Sequence, residues 1–174
     1  MDREELATLF DLTDRVAIVT GGTRGIGRSI AEGFVAAGAK VAVASRKEDA
    51  CEETERALQA IGGDALGVPT HMGDLDALQN LVTRTTERFG RLDILVNNAA
   101  TALREDLGHY TLDAYNKSMD VNLRGPVFLV QEALPYLERS PSASIINVLS
   151  AGAFLFASFQ ATYAAAKAAM YSFT

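Results

Sequence analysis

A single cysteine, Cys51, stands in 174 residues, so no internal disulfide can form and a reducing, cytoplasmic setting is expected. Tryptophan is absent, and the two histidines, His71 and His109, show no metal-ligand spacing with Cys51. No uncharged apolar run approaches the ~20 residues that a membrane-spanning helix needs. The opening segment MDREELATLFDLTDR lacks the apolar centre of a signal peptide, so no membrane association is expected. Basic residues are the minority: 16 Lys and Arg face 22 Asp and Glu, and the net charge of −6 argues against a nucleic-acid partner. Linkers, repeats and low-complexity tracts are also missing, which makes residues 1–174 one domain.

What remains is an ordinary globular balance, 48% hydrophobic and 22% charged. Short apolar runs alternate with amphipathic segments. VAIVT (16–20), VAVAS (41–45), 65–69, LDILV (92–96) and IINVL (145–149) read as strands. Between them, Ile26, Ile30, Phe34 and Val35 recur at helical spacing up to Gly38. Ala50 to Ile61 and Leu75 to Phe89 do the same, the latter with Asp74 as its N-cap. A long helical pattern runs from Leu112 to Leu137, and ATYAAAKAAMYSF (161–173) is alanine-rich and helical. Strands alternating with helices imply right-handed crossovers and a parallel sheet covered on both faces.

Two clusters carry chemistry. Thr20-Gly21-Gly22-Thr23-Arg24-Gly25-Ile26-Gly27 joins the first strand to the first helix with G-x-x-x-G-x-G spacing. Glycines there allow a tight turn, and the helix N-terminus turns unpaired N–H groups toward a phosphate. A glycine-rich turn without a ligand is the alternative. No G-K-[ST] follows, so a Walker loop is excluded. After the second strand stands Ser45-Arg46-Lys47 rather than a carboxylate. With Arg24 in the loop, two guanidinium groups favour a ribose 2′-phosphate, hence NADP(H) over NAD(H), unless Arg46 and Lys47 simply begin a solvated helix.

Tyr163 and Lys167 lie four apart in a helical segment and so share a face. An ammonium ~5 Å from a phenol oxygen, at an effective dielectric near 20, favours the phenolate by roughly 3 kcal/mol, which suits proton exchange with a carbonyl or alcohol. Ser150 closes the fifth strand, at the sheet edge where ligands of such folds bind, although Ser-Ala-Gly is also an ordinary turn.

Taken together, TGGTRGIG (20–27), NNAA (97–100), Asn122 in DVNL, Ser150 and Tyr163-Ala-Ala-Ala-Lys167 resemble the short-chain dehydrogenase/reductase family over nearly the whole chain. The resemblance implies an α/β, Rossmann-like doubly wound parallel sheet of strand order 3-2-1-4-5. It implies an oxidoreductase that transfers hydride between NADP(H) and a small-molecule carbonyl or alcohol, working as a homodimer or homotetramer. The catalytic set it implies is Tyr163 as general acid/base, Lys167 tuning it and holding the nicotinamide ribose, Ser150 orienting substrate, and Asn122 supporting a water. Around the cofactor it implies Gly21, Thr23, Arg24, Gly25, Ile26, Gly27, Ser45 and Arg46. His71 and Met72 fall at the adenine, in place of the family's frequent acidic residue, and Asn98 and Ala99 fall beside the fourth strand. Ala100 replaces a more usual glycine. An epimerase-type relative is disfavoured because its T-G-x-x-G-x-x-G spacing is missing.

Three further expectations follow. Pro126 has no N–H for the Asn122 carbonyl, so a kink is expected there, with that carbonyl free for a water near Lys167. Family members continue for several dozen residues, so the chain is expected to be incomplete at its C-terminus, with IINVL an unpaired apolar edge. A truncated, catalytically inactive nucleotide- or partner-binding module is then the alternative function. Finally, Ala153–Phe159 walls an apolar pocket or packs in the core or a subunit contact.

Overall fold

The computed structural model describes residues 2, 8–104, 106, 108–155 and 158–174. Five parallel strands form one sheet: β1 (Val16–Thr20), β2 (Lys40–Ser45), β3 (Ala65–Pro69), β4 (Ile94–Asn97) and β5 (Ser144–Asn147). Their spatial order is β3-β2-β1-β4-β5, the expected Rossmann-like arrangement. The helices are α1 (Gly25–Ala36), α2 (Glu48–Ala60), α3 (Leu75–Phe89), α4 (Leu112–Met119), α5 (Gly125–Leu137) and α6 (Ala161–Phe173).

Both faces of the sheet are buried at β1, β2 and β4, which is why these central strands are apolar without alternation. Val16, Ile18, Ala42 and Leu95 pack on one side against Leu78 and Leu81 of α3 and Leu129 and Ala133 of α5. Ala17, Val19, Val41 and Val96 pack on the other against Ala31 and Val35 of α1 and Leu58 of α2. Pro69 closes β3, where an edge strand tolerates its missing N–H. Asp74 caps α3 as expected, its carboxylate accepting from the N–H groups of Asp76 and Ala77.

Three local features differ from the sequence pattern. β4 starts at Ile94 rather than Leu92; just before it, the Asp93 N–H donates to the Val16 carbonyl and the Asp93 carboxylate accepts from the Val16 N–H, both at 2.9 Å. β5 ends at Asn147, one residue before a last backbone bond from the Val148 N–H to the Asn97 carbonyl. Between α4 and α5 the ladder does not break; it widens into a π-helical turn over Asp120–Arg124, with the Gly125 N–H reaching the Asp120 carbonyl. Pro126 then falls in the first turn of α5, where a missing N–H costs least. β5 is the sheet edge, with Ile145 and Ile146 exposed. In the 153–159 stretch, Phe154, Leu155 and Phe159 are exposed rather than core, while Phe156 and Ala157 lie outside the described residues. Among the described residues no helix is long and apolar enough to cross a membrane, and no cluster of side chains suits a metal ion.

Candidate active site

At the C-terminal end of the sheet, Thr20 ties β1 to the segment after β4. Its hydroxyl donates to the Val96 carbonyl at 3.1 Å and accepts from the N–H groups of Asn98 and Ala99 at 3.0 and 3.1 Å. Asn98 returns the tie, donating through Nδ2 to the Thr20 carbonyl at 2.8 Å. The chain then reverses at Gly21 with φ +65°, a conformation that favours glycine. Gly27, in the first turn of α1, packs so tightly that a Cβ there would collide with the Gly21 carbonyl and Asn98 Nδ2.

α1 starts without a cap. Arg24 at the N-cap offers no side-chain acceptor, and no acidic residue stands in the first turn. The Arg28 N–H bonds back to the Arg24 carbonyl, so the N–H groups of Gly25, Ile26 and Gly27 lack an α-helical partner. These residues line a cleft of about 590 Å³. Its other lining residues include Ser45, Arg46, Met72, Asn98 and Ala99, so the structure brings together most of the expected cofactor residues. Among the described residues four cations line it, Arg24, Arg46, Lys47 and Lys117, and no carboxylate does. In a chain of net charge −6 that is a local reversal of sign.

Of the expected cofactor residues, His71, Tyr163 and Lys167 are absent from this lining. His71 is exposed, and its Nδ1 accepts from the Gly73 N–H at 3.1 Å. Conversely, Thr101, Lys117 and Val121 line the cleft without having been expected. Lys117 and Val121 are four apart and so share a helix face, but that spacing recurs along every helix and does not single them out.

The second cluster is carried by α6, which packs against α4 and the π-helical turn. Tyr163 is half-buried and Lys167 is buried, only 4% exposed. The Lys167 ammonium donates to the Val148 carbonyl at 2.7 Å and lies 5.9 Å from the centre of the Tyr163 ring. Burial depresses the Lys167 pKa below its ordinary value. Ser150 ends the segment after β5; its hydroxyl oxygen accepts from the Gly152 N–H at 3.1 Å, which leaves its own proton available to donate. Asn122, in the π-helical turn, is buried and grips Thr101 twice: Oδ1 accepts from its N–H at 3.0 Å and Nδ2 donates to its carbonyl at 2.7 Å. Ser150, Tyr163, Lys167 and Asn122 do not line the cleft itself.

A parallel doubly wound sheet, a glycine cradle at its first crossover and a Tyr/Lys helix beyond its fifth strand define a Rossmann-like α/β protein. Residues 15–174 match the family described as short chain dehydrogenase, and the chain belongs to that family. A rhamnolipids biosynthesis 3-oxoacyl-[acyl-carrier-protein] reductase of Pseudomonas aeruginosa is 37% identical over 167 residues, covering 93% of this chain and 65% of that protein. An oxidoreductase of Staphylococcus saprophyticus is 34% identical over 170 residues, 95% of this chain and 71% of its own. Among solved structures, a dehydrogenase/reductase from Sinorhizobium meliloti superposes with TM-score 0.93 at 30% identity, covering 98% of this chain and 68% of that one. A 7α-hydroxysteroid dehydrogenase complexed with NADH and 7-oxo glycochenodeoxycholic acid gives 0.90 at 27% identity, covering 94% and 64%. The chain thus spans about two thirds of the length of the curated relatives it matches.

Proposed function

We propose that this chain is the dinucleotide-binding part of an NADP(H)-dependent oxidoreductase acting on a small-molecule carbonyl or alcohol. The observation that carries the proposal is the pairing on α6 of Tyr163 with a buried Lys167 whose ammonium is anchored at the end of β5. The glycine cradle fits the cofactor: a Cβ at Gly27 would fill it, and the uncapped first turn of α1 leaves N–H groups for a pyrophosphate. Arg24 and Arg46 suit a 2′-phosphate, with Ser45 beside them, and Asn98 and Ala99 form the side next to β4. Two relatives named above have an oxo compound in their names or complexes, in keeping with a carbonyl substrate.

When bound, the nicotinamide supplies or accepts hydride at C4. The Tyr163 hydroxyl gives its proton to the substrate oxygen during reduction and takes it back during oxidation. Lys167 stabilises the negative charge that this leaves on the phenol oxygen. Ser150 donates to the same substrate oxygen, and Asn122 holds the Thr101 segment, its support of a water following from the family resemblance alone. A homodimer or homotetramer would bury exposed apolar residues of α4 and α5 such as Leu112, Tyr115 and Leu134, and the free, buried Cys51 suits the cytoplasm.

A non-catalytic nucleotide-binding module is the second reading, favoured by a cleft lining that stops short of Ser150, Tyr163 and Lys167. Titration with NADPH, followed by an assay of carbonyl reduction, separates the two. The oxidoreductase reading expects NADPH binding and turnover, with Tyr163→Phe retaining the binding and losing about 10²–10⁴-fold in rate. Binding without turnover selects the module, and no binding removes both.

A further inference from the structure

Two cations in the cleft, Lys47 and Lys117, have no part in these roles, and Lys47 adjoins Arg46 whereas Lys117 stands on a different wall. Lys117 stands in the last turn of α4, exposed, one helical turn before Val121, and both line the cleft. Among the described residues no carboxylate pairs with it. The nearby Asp120 is taken by Arg124 at 3.2 Å, and Arg124 also donates to the Gly73 carbonyl at 2.9 Å. That clamp pins the segment after β3 beneath the π-helical turn, where a Cβ at Gly125 would collide with the Met72 carbonyl. Met72 and Val121 are consequently packed in one apolar cluster, and both face the cleft. His71, the adjacent group able to titrate, is outside the lining.

This wall therefore combines a fixed apolar surface with a single charged group. A flat aromatic base suits Met72 and Val121. An ammonium has three donors and no acceptor, so it matches a ring nitrogen or an oxo group and not an exocyclic amine. We infer that Lys117 is a base-contact residue, donating to an acceptor on the purine edge of the bound nucleotide and setting which purine the site prefers. The inference rests on the dinucleotide reading above. Arg24 and Arg46 answer to the ribose phosphate; Lys117 answers to the base. A 6-oxo purine offers an acceptor where adenine presents an amine, so the site accepts a hypoxanthine dinucleotide at least as well as an adenine one.

The test uses the full chain and needs no turnover. NADPH and its hypoxanthine analogue are titrated by nicotinamide fluorescence, and 2′,5′-ADP by calorimetry, against the wild type, Lys117→Met and Lys117→Glu. Lys117 is exposed, and Met keeps the apolar stem, so circular dichroism should show an unchanged fold. The expected result is a hypoxanthine-to-adenine affinity ratio at or above one in the wild type. It should fall about fivefold in Lys117→Met and further in Lys117→Glu, whose carboxylate accepts from the adenine amine. An equal loss for both purines places the contact on a ring nitrogen common to them and overturns the purine preference, no loss overturns the base contact altogether, and either leaves the dinucleotide reading standing. Failure of the wild type to bind NADPH overturns the dinucleotide reading and this inference with it.

Discussion

The Lys167 ammonium is fixed to the Val148 carbonyl at 2.7 Å, so the cation beside Tyr163 is set by backbone two residues ahead of Ser150. The anchor comes with desolvation, which lowers the lysine pKa. Between that lowered value and the ordinary lysine value near 10.4, the unfolded chain holds more protons than the folded one. Stability attributable to Lys167 therefore rises with pH through this window. Lys167→Met should lie within about 1 kcal/mol of wild type at neutral pH, since losing the bond to Val148 is offset by relief of the buried charge. Urea melts from pH 7 to 10 check the sign: the wild type should gain on the variant as pH rises.

Asn122 tethers the loop after β4 rather than only interrupting a helix. Asn122→Ala leaves both backbone groups of Thr101 without their partner and should cost about 1–3 kcal/mol. Asn122→Asp keeps an acceptor for the Thr101 N–H but sets a carboxylate oxygen against the Thr101 carbonyl, which the Ser118 hydroxyl, turning to donate, only partly offsets. It should be at least as damaging at neutral pH and should recover toward acid pH, as protonation restores a donor. Denaturation midpoints at pH 5 and pH 8 distinguish the two variants.

The same residue marks where sequence reasoning stops. The bounds of β1, α3 and α6 follow from an uninterrupted apolar run, a capping aspartate and an alanine-rich stretch, all of which are local signals. Pro126 announced an interruption, but a widened ladder and a kink satisfy the same missing N–H, and only the bond from the Gly125 N–H to the Asp120 carbonyl shows which is present. Most of the glycine cradle was legible because its residues are contiguous. Lys117 was not, since its place in the cleft depends on how α4 leans across the sheet. Asp93 was invisible for a similar reason: its partners lie at positions 15, 16, 91 and 140.

Asp93 is a buried carboxylate at the N-terminal end of the sheet, far from the cleft in the fold. Arg91 grips it through Nε at 2.8 Å and Nη2 at 2.6 Å, and the Val16 N–H and Ser140 hydroxyl also donate to it. Burial alone would raise its pKa, but these hydrogen bonds outweigh it and hold the value below the ordinary carboxylate one. Its contribution is thus complete above about pH 4 and is lost as pH falls through the lowered value. Asp93→Asn should cost about 2–3 kcal/mol at pH 7, a drop of roughly 5–10 °C in Tm, and the gap to wild type should narrow below about pH 4. Calorimetry across that range measures both.

Arg46 and Arg24 decide between the two nicotinamide cofactors if the cleft holds one. Both are exposed, so their attraction for a 2′-phosphate is screened by salt and each contributes modestly alone. Arg46→Ala should weaken NADPH about tenfold and leave NADH nearly unchanged, a selective loss of about 1.4 kcal/mol. Arg46→Glu should go further. Its carboxylate repels the phosphate and accepts from a ribose 2′-hydroxyl, so NADPH weakens while NADH tightens and the preference inverts. Fluorescence titration of both cofactors at two salt concentrations checks the origin of the effect. The NADPH affinity of the wild type should fall more steeply with salt than that of Arg46→Ala, because the variant has one fewer charge to screen. Equal weakening of NADPH and NADH by Arg46→Ala would place Arg46 elsewhere than on the phosphate.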